Sequence, residues 1–434
     1  ADIRKEGANF DLAMAIAYLT AAEEIDFDPH ETLILGELSL QGNVTKIHGV
    51  LPIICTAPHH GFTSAFVPHE NSIEASLARN IIIYPVRTLR EIIEHISGTK
   101  LIQPLNHISH QTKEHKKVHI DMRTIRGNEV AKRGLEIAAA GGHNVIMCGP
   151  PGTGKTMLAQ SFASLLPPLT YEQSIEVTSI HSAARTLHDH LIYEPPFRTP
   201  HHTASYPSIV GGGAFPKPGE ITLAHRGVLF VDEFPEFDRK VIEALRQPLE
   251  DGVITISRAR GVITFPARCI LIASMNPCPC GKKGTLECIC SIQALQSYAR
   301  KISGPISDRI DIWLTVEKID YEKLSSTENN AEPSATIRER IVRCRNIQGT
   351  RYQKHGSTKN YNSELDATDI ERFIAMEESA RTTLALSAQR FGLSGRAFHR
   401  VIKVARTIAD MEQKEVISKD HILEALQYRK KSDI

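Results

Sequence analysis

The chain lacks any apolar run approaching the ~18 residues that a membrane-spanning helix needs, so no spanning segment is expected. Its first residues, Ala1-Asp2-Ile3-Arg4-Lys5-Glu6-Gly7, lack the apolar core and cleavage pattern of a secretory signal, which makes the cytoplasm the expected compartment. An excess of one charge sign is missing too: 51 Lys and Arg stand against 50 Asp and Glu, a net charge of +1. That excludes a global basic field, so any DNA or RNA contact must come from a local patch. The chain begins without Met and as if inside a domain, and N-terminal sequence is expected to be missing. Cysteine is sparse over most of the length. Of eight, Cys55, Cys148, Cys269 and Cys344 are scattered in apolar or helical contexts that suit a small buried hydrophobe, which leaves four packed together.

What is present is ordinary globular material: 434 residues, 41% hydrophobic and 23% charged, enough for two to four domains. Its organising stretch is Gly149-Pro150-Pro151-Gly152-Thr153-Gly154-Lys155-Thr156, which fits G-x-x-x-x-G-K-[ST] at every fixed position. Residues 144–148 read as a short buried strand and 157–165 as an amphipathic helix, so the glycines fall at a strand-to-helix turn. A triphosphate needs consecutive backbone N–H groups facing its oxygens at a helix N-terminus without side-chain obstruction, and glycines permit that. Gly149, Gly152, Thr153 and Gly154 would cradle ATP, Lys155 would reach the β- and γ-phosphates, and Thr156 would place its hydroxyl on Mg²⁺.

Downstream, Gly227-Val228-Leu229-Phe230-Val231-Asp232-Glu233 reads as a buried central strand ending in two acids. Asp232 is expected in the Mg²⁺ shell and Glu233 as the group that polarises the attacking water. A third strand, 269–275, ends in Asn276, whose amide suits the same water. Charge developing on the transferred phosphoryl group needs a cation beyond Lys155. Arg309, in Ser307-Asp308-Arg309-Ile310-Asp311, is expected to act on the ATP of a neighbouring subunit. Arg396, at the start of a C-terminal helix, is a candidate sensor of the same phosphates, and Arg300 is a weaker third.

Residues 1–100 mix helix and strand: 10–22 helical, 32–40 strand-like, then an α/β pattern through 47–57 and 64–68. The stretch from Gly36-Glu37-Leu38 through Gly42-Asn43-Val44 and Gly49-Val50-Leu51 to Val67-Pro68 resembles the proteolytic domain of Lon-type proteases. In that alignment Asn9 stands where the nucleophilic Ser should be and Leu51 where the Lys should be. No Ser–Lys dyad can form, and the domain is read as a truncated, non-catalytic relative. Residues 101–122 form a polar linker containing His107, His110, His115 and His119, whose irregular spacing favours a solvated connector over a metal site. The nucleotide-binding core is expected over 123–325, with strands recurring between helices as a parallel sheet requires. A helical lid is expected over 326–434, with helices at 336–347, 367–385, 395–410 and 418–428, the last capped by Ser418.

Further along, Phe197-Arg198-Thr199-Pro200-His201-His202-Thr203, Gly211-Gly212-Gly213, Pro218-Gly219-Glu220, Leu245-Arg246-Gln247-Pro248-Leu249-Glu250-Asp251-Gly252 and Asn276-Pro277-Cys278-Pro279-Cys280-Gly281 resemble the magnesium-chelatase-like branch of AAA+ ATPases and, within it, the bacterial competence proteins. The resemblance covers essentially the whole chain. It implies an α/β AAA+ P-loop fold with a helical lid and a ring of subunits, a hexamer. It also implies an ATP-dependent DNA motor driving branch migration of recombination intermediates in natural transformation, the alternative being a chelatase-type motor that remodels a protein partner. Two insertions fit such a ring. Residues 253–265 read as a β-hairpin whose tip carries Arg258 and Arg260, guanidinium groups that could grip DNA phosphates without reading sequence. Residues 201–219, rich in Gly and Pro and carrying Lys217, could form a companion loop. Finally, Cys278, Cys280, Cys288 and Cys290 form C-x-C, seven residues, then C-x-C. In a reducing compartment this set suits a tetrahedral structural Zn²⁺, with disulfides the alternative.

Overall fold

The computed structural model describes residues 8–105, 120–187, 191–213, 217–258, 261–318 and 331–430. The chain divides into two compact units. One holds the described residues up to 105 together with Leu169–Glu194, and the other holds residues 120–168 and those from Pro195 onward. The histidines of the expected linker and the turn at Lys5-Glu6-Gly7 lie outside the described residues.

The first unit is built on a three-stranded parallel sheet, Thr32–Ile34, Ser64–Pro68 and Ile82–Val86, with Ser64–Pro68 in the middle. The strand expected over 32–40 is interrupted at Gly36, and Glu37–Leu38 turns away to pair antiparallel with Val44–Thr45. A methyl group on Gly36 would come within 2.8 Å of Val44 Cγ1, so the chain can fold back there only without a side chain. Asn9 lends its carbonyl to Gly36 N–H at 2.9 Å. Leu51 is fully buried in the apolar core with Leu35, Val50 and Ile54. Although it follows the P-loop helix in sequence, Tyr171–Ala183 packs in this unit. Arg79 stacks 3.7 Å over the Tyr171 ring, the Tyr171 hydroxyl donates to Leu77 O, and Ser182 Oγ donates to Glu74. The buried Glu74 carboxylate also accepts from Leu51 N at 3.1 Å and from Asn71 Nδ2 at 3.2 Å, so its oxygens are satisfied without water.

In the second unit five parallel strands stand in the order Ile312–Thr315, Val145–Cys148, Ile270–Met275, Val228–Val231, Phe197–Arg198. The three middle strands are buried at every residue, as a sheet covered on both faces requires. Alternate side chains feed two cores. Val145, Met147, Val228, Phe230, Ile270 and Ile272 join the C-terminal helices. Ile146, Leu229, Val231, Leu271 and Ala273 pack with Ile254 and Ile256 from the base of a hairpin.

The helices after residue 333 pack on the sheet unit by capping it. Helix Glu129–Gly141 and helix Lys155–Leu165 end with backbone carbonyls that have no partner inside the helix. From Ser334–Gln353, Arg345 Nε donates to Ala139 O at 3.0 Å, Gln348 Nε2 to Ala140 O at 3.1 Å and Arg338 Nε to Ser164 O at 2.9 Å. The single helix expected over 367–385 is instead two, Ala367–Phe373 and Glu378–Phe391. Between them Ala375–Met376 pairs parallel with Val416–Ile417, and Glu377 N–H donates to Ile417 O at 3.0 Å. A distant strand partner therefore takes over hydrogen bonds that the helix would otherwise hold. Ser418 is the N-cap of Lys419–Gln427, as its sequence position suggests.

One buried charge ties helix Gly395–Met411 to the sheet. Asp311, 2% exposed, receives Arg400, accepts from Asn144 N at 3.0 Å, and lies 3.5 Å from His143 Nδ1. Burial alone would raise the Asp311 carboxyl, but Arg400 and His143 outweigh it and hold the group well below the usual carboxylate range. A carboxylate depressed on folding contributes stability that is fully present above its unfolded value near 3.9 and is lost as pH falls through that value toward the folded one. Asp311→Asn is therefore expected to lower stability at neutral pH by about 3 kcal/mol, because Arg400 keeps its charge without its partner. The urea midpoint of the variant should also fall less steeply than wild type below about pH 4.

Candidate active site

The P-loop strand Val145–Cys148 delivers the chain into a turn whose glycines have geometric work. A methyl group on Gly149 would sit 2.1 Å from the Val316 carbonyl, and Gly154, at φ +85°, starts helix Lys155–Leu165 from a left-handed backbone. Gly152 has φ +76°, and Thr153 Oγ1 closes the turn on Pro150 O at 3.0 Å.

Because the neighbouring strands are parallel, their carboxyl ends lie on the same edge, and the polar residues expected from sequence converge there. Lys155 Nζ donates to Gly149 O at 2.7 Å, Pro150 O at 2.9 Å and Asn276 Oδ1 at 3.2 Å, which uses all three ammonium hydrogens. Burial draws the Lys155 ammonium below its ordinary pKa, while Asp232, Cys148 and Glu233 pull the other way. Thr156 Oγ1 donates to Asp232 Oδ2 at 3.0 Å, bringing together the two groups expected around Mg²⁺. Glu233 follows in a left-handed conformation, φ 52° and ψ 44°, which a non-glycine residue adopts only when its surroundings impose it. Its N–H donates to Asp232 Oδ1 at 3.0 Å, and Ser274 Oγ also donates to Asp232.

Two residues of this set were not singled out for the chemistry by their sequence position. Ser274 reaches Asp232 through strand register, Ala273 standing opposite Val231, which local sequence does not reveal. His202 Nδ1 lies 3.5 Å from Glu233 Oε2, because the edge strand Phe197–Arg198 runs parallel beside Val228–Val231 and the chain after it passes Glu233. The only sequence signal was the paired His201-His202 just beyond a strand. Their rings stand 4.1 Å apart.

Arg309 and Arg396 are elsewhere. Both meet the carboxylate of Glu250, Arg309 in a close ion pair and Arg396 at 3.4 Å. Arg309 is 7% exposed and also donates to Pro305 O at 2.8 Å. Burial, then the positive charges of Arg396, Arg400 and Arg246, lower its affinity for its own proton. The hydrogen bonds and ion pairs of the Lys155, Asp232, Glu233 and Asn276 side chains run to one another, Thr156, Ser274, His202 and P-loop groups, and to no arginine among the described residues. Arg300 is exposed on helix Ile292–Lys301.

The hairpin pairs Val253–Arg258 with Gly261–Pro266, Arg258 opposite Gly261. Arg260 and the Arg258 side chain lie outside the described residues. The other insertion is closed at its base by Arg198, which binds Glu220 through Nε at 2.7 Å and Nη2 at 2.8 Å, and Lys217 is exposed within it. Cys278, Cys280, Cys288 and Cys290 present sulfurs that all lie within 4.8 Å of one another. The Sγ separations are 3.4 Å for Cys278–Cys280, 3.7 Å for Cys280–Cys288 and 4.0 Å for Cys278–Cys288. Four thiolates about 2.3 Å from a tetrahedral ion stand about 3.8 Å apart, so the donor set fits a metal, whereas a disulfide needs sulfurs near 2.05 Å.

A parallel sheet with a phosphate turn, an acid pair and an amide on one edge defines a P-loop nucleotide hydrolase. The family described as Magnesium chelatase, subunit ChlI matches residues 121–324, its C-terminal counterpart matches 331–429, and the family Subunit ChlI of Mg-chelatase matches 1–71. The chain is 41% identical over 433 residues to the competence protein ComM of Haemophilus influenzae, covering 99% of this chain and 84% of that one. It is 38% identical over 436 residues to YifB of Escherichia coli, covering 99% and 83%. A more distant match, 23% identical over 336 residues, is the DNA replication licensing factor Mcm6 of Drosophila melanogaster, covering 72% and 37%. The chain belongs to the magnesium-chelatase-like family of AAA+ ATPases. No helix among the described residues is long and apolar enough to cross a membrane.

If Glu233 polarises the attacking water as expected from the sequence, Glu233→Gln should bind Mg-ATP with an unchanged Kd and turn it over at least about 10²-fold more slowly. Lys155→Ala should lose nucleotide binding itself. Equilibrium binding of a fluorescent ATP analogue, measured beside phosphate release, separates the two effects.

Proposed function

We propose that the chain is one subunit of a hexameric ring that hydrolyses ATP to move DNA, driving branch migration of recombination intermediates in natural transformation. The observation that carries this reading is the division of the catalytic groups. Lys155, Thr156, Asp232, Glu233 and Asn276 gather on one sheet edge, while Arg309 and Arg396 are both held on Glu250. A phosphoryl transfer site needs a guanidinium where charge develops, and this subunit keeps its two candidates on another carboxylate. Apposition of a second copy supplies them.

In the complete site the P-loop N–H groups and Lys155 hold the triphosphate, and Thr156 and Asp232 hold Mg²⁺. Glu233 draws a proton from the attacking water while Asn276 orients it. Arg309 and Arg396 of the adjacent subunit exchange Glu250 for the γ-phosphate, one anionic partner for another, so the buried Arg309 guanidinium is not left unpaired. That exchange joins nucleotide state to movement of the helical lid and, through it, to the hairpin whose tip carries Arg258 and Arg260. In a ring the hairpins line the pore and hold DNA through its phosphates. The names of the relatives, a competence protein and a replication licensing factor, support DNA as the partner. The four thiolates hold Zn²⁺ as a structural ion.

Branched DNA is expected to stimulate ATP turnover, and the protein should displace a strand from a four-way junction in the presence of ATP. Arg258→Ala/Arg260→Ala should keep basal turnover and lose the stimulation by DNA. No displacement at saturating ATP, with turnover indifferent to DNA, would point instead to a chelatase-type motor acting on a protein.

A further inference from the structure

Residues 277–291 contain no helix or strand, and only Cys278 and Gly281 among them are buried. Leu286 and Ile289 are fully or almost fully exposed, at 108% and 89%, so the segment has no apolar core of its own. Its internal ties are short-range: Gly281 N–H to Cys278 O at 2.9 Å, Thr285 Oγ1 to Lys282 O at 2.8 Å, and the exposed Lys282–Glu287 pair at 2.6 Å. Such contacts stabilise little in water. The four sulfurs bring the two ends of the segment together, Cys278 and Cys280 beside Cys288 and Cys290.

That shape is seated on the P-loop. Gly281, at φ +77°, lies so close to Pro151 that a methyl group on it would meet Pro151 Cδ at 2.5 Å and Cγ at 2.9 Å. The segment follows directly on Asn276, whose amide receives Lys155, and the strand ahead of it accepts Gly149 N–H through Met275 O at 3.2 Å. The knuckle thus contacts the phosphate turn at one end of its fold and continues directly into the residue that orients the catalytic lysine at the other.

We propose that the Cys278–Cys280–Cys288–Cys290 knuckle is a Zn²⁺-dependent clamp on the nucleotide site, set by the seat of Gly281 against Pro151, so that metal occupancy and nucleotide affinity are coupled. This rests on the zinc and P-loop readings above. Without the ion, Gly281 keeps only its short bond to Cys278 O and its packing on Pro151, so the turn that presents backbone N–H groups to phosphate has a less firmly held wall. Coupling between two sites is reciprocal: whatever factor zinc contributes to nucleotide affinity, nucleotide contributes to zinc affinity.

The test uses the whole chain. Zinc is counted by plasma mass spectrometry. Its loss to a chelator is then timed with and without the slowly hydrolysed analogue ATPγS and Mg²⁺, and binding of a fluorescent ATP analogue is titrated before and after zinc removal. One Zn²⁺ per chain is expected. ATPγS should slow zinc loss, and zinc removal should weaken nucleotide binding about tenfold. Gly281→Ala, which keeps all four thiols, should retain zinc while its loss becomes insensitive to ATPγS. Leu286→Ser on the same segment should behave as wild type. Bound zinc whose release ignores ATPγS, with nucleotide affinity unchanged on its removal, would overturn the coupling and leave the metal site standing. Normal nucleotide binding by a protein that takes up no zinc would overturn the metal site, and zinc-loaded protein that binds no nucleotide would overturn the P-loop reading on which the clamp rests.

Discussion

The parallel run of three buried strands is the constraint on which the rest of the site depends. Val145–Cys148, Ile270–Met275 and Val228–Val231 end on one edge of the sheet, and the residue types that follow them are those phosphate chemistry needs. The first strand opens into a glycine turn, the second into an amide and the third into two acids. Lys155 joins the turn to the amide: its ammonium hydrogens are all engaged, by two turn carbonyls and by Asn276. A phosphate oxygen can take over these bonds, one acceptor exchanged for another, and half-burial leaves the lysine few solvent alternatives.

The arginines obey a different constraint. A guanidinium cannot be buried alone, and Arg309 is nearly buried. Glu250 meets that need and brings Arg396 to the same carboxylate, while Arg400 is taken by Asp311 a short distance along the same helix Gly395–Met411. The lid is therefore fastened by two kinds of contact. The Asp311 pair is enclosed and holds it to the sheet. The Glu250 pair is partly exposed at Arg396, the access that the proposed exchange of partners requires.

Much of this was legible in the chain because fixed spacing carries it. The phosphate turn, the apolar run ending in Asp232-Glu233 and the strand before Asn276 each place a functional group at the end of a predictable element. What was not legible depends on contacts distant in sequence. Tyr171–Ala183 has an ordinary helical pattern, and only its partners Arg79, Leu77 and Glu74 assign it to the first unit rather than to the core in which sequence order placed it. The break at Ala375–Met376 has no glycine or proline to announce it and arises from a strand partner about forty residues away. Ser274 and His202 reach the acid pair through sheet register. Glu250 gathers Arg309 and Arg396 from positions 59 and 146 residues away along the chain, which no local motif encodes.

The central claim is that the catalytic centre is completed by two copies of the chain, and mixing of inactive subunits tests it most directly. Lys155→Ala lacks a working P-loop, and Arg309→Ala lacks the group it lends. In a randomly assembled ring of the two, about one contact in four joins an intact P-loop to an intact arginine. ATP turnover should therefore reappear on mixing, well above the sum of the separate proteins. A mixture that assembles but stays as inactive as its parents would mean that each chain uses its own arginine.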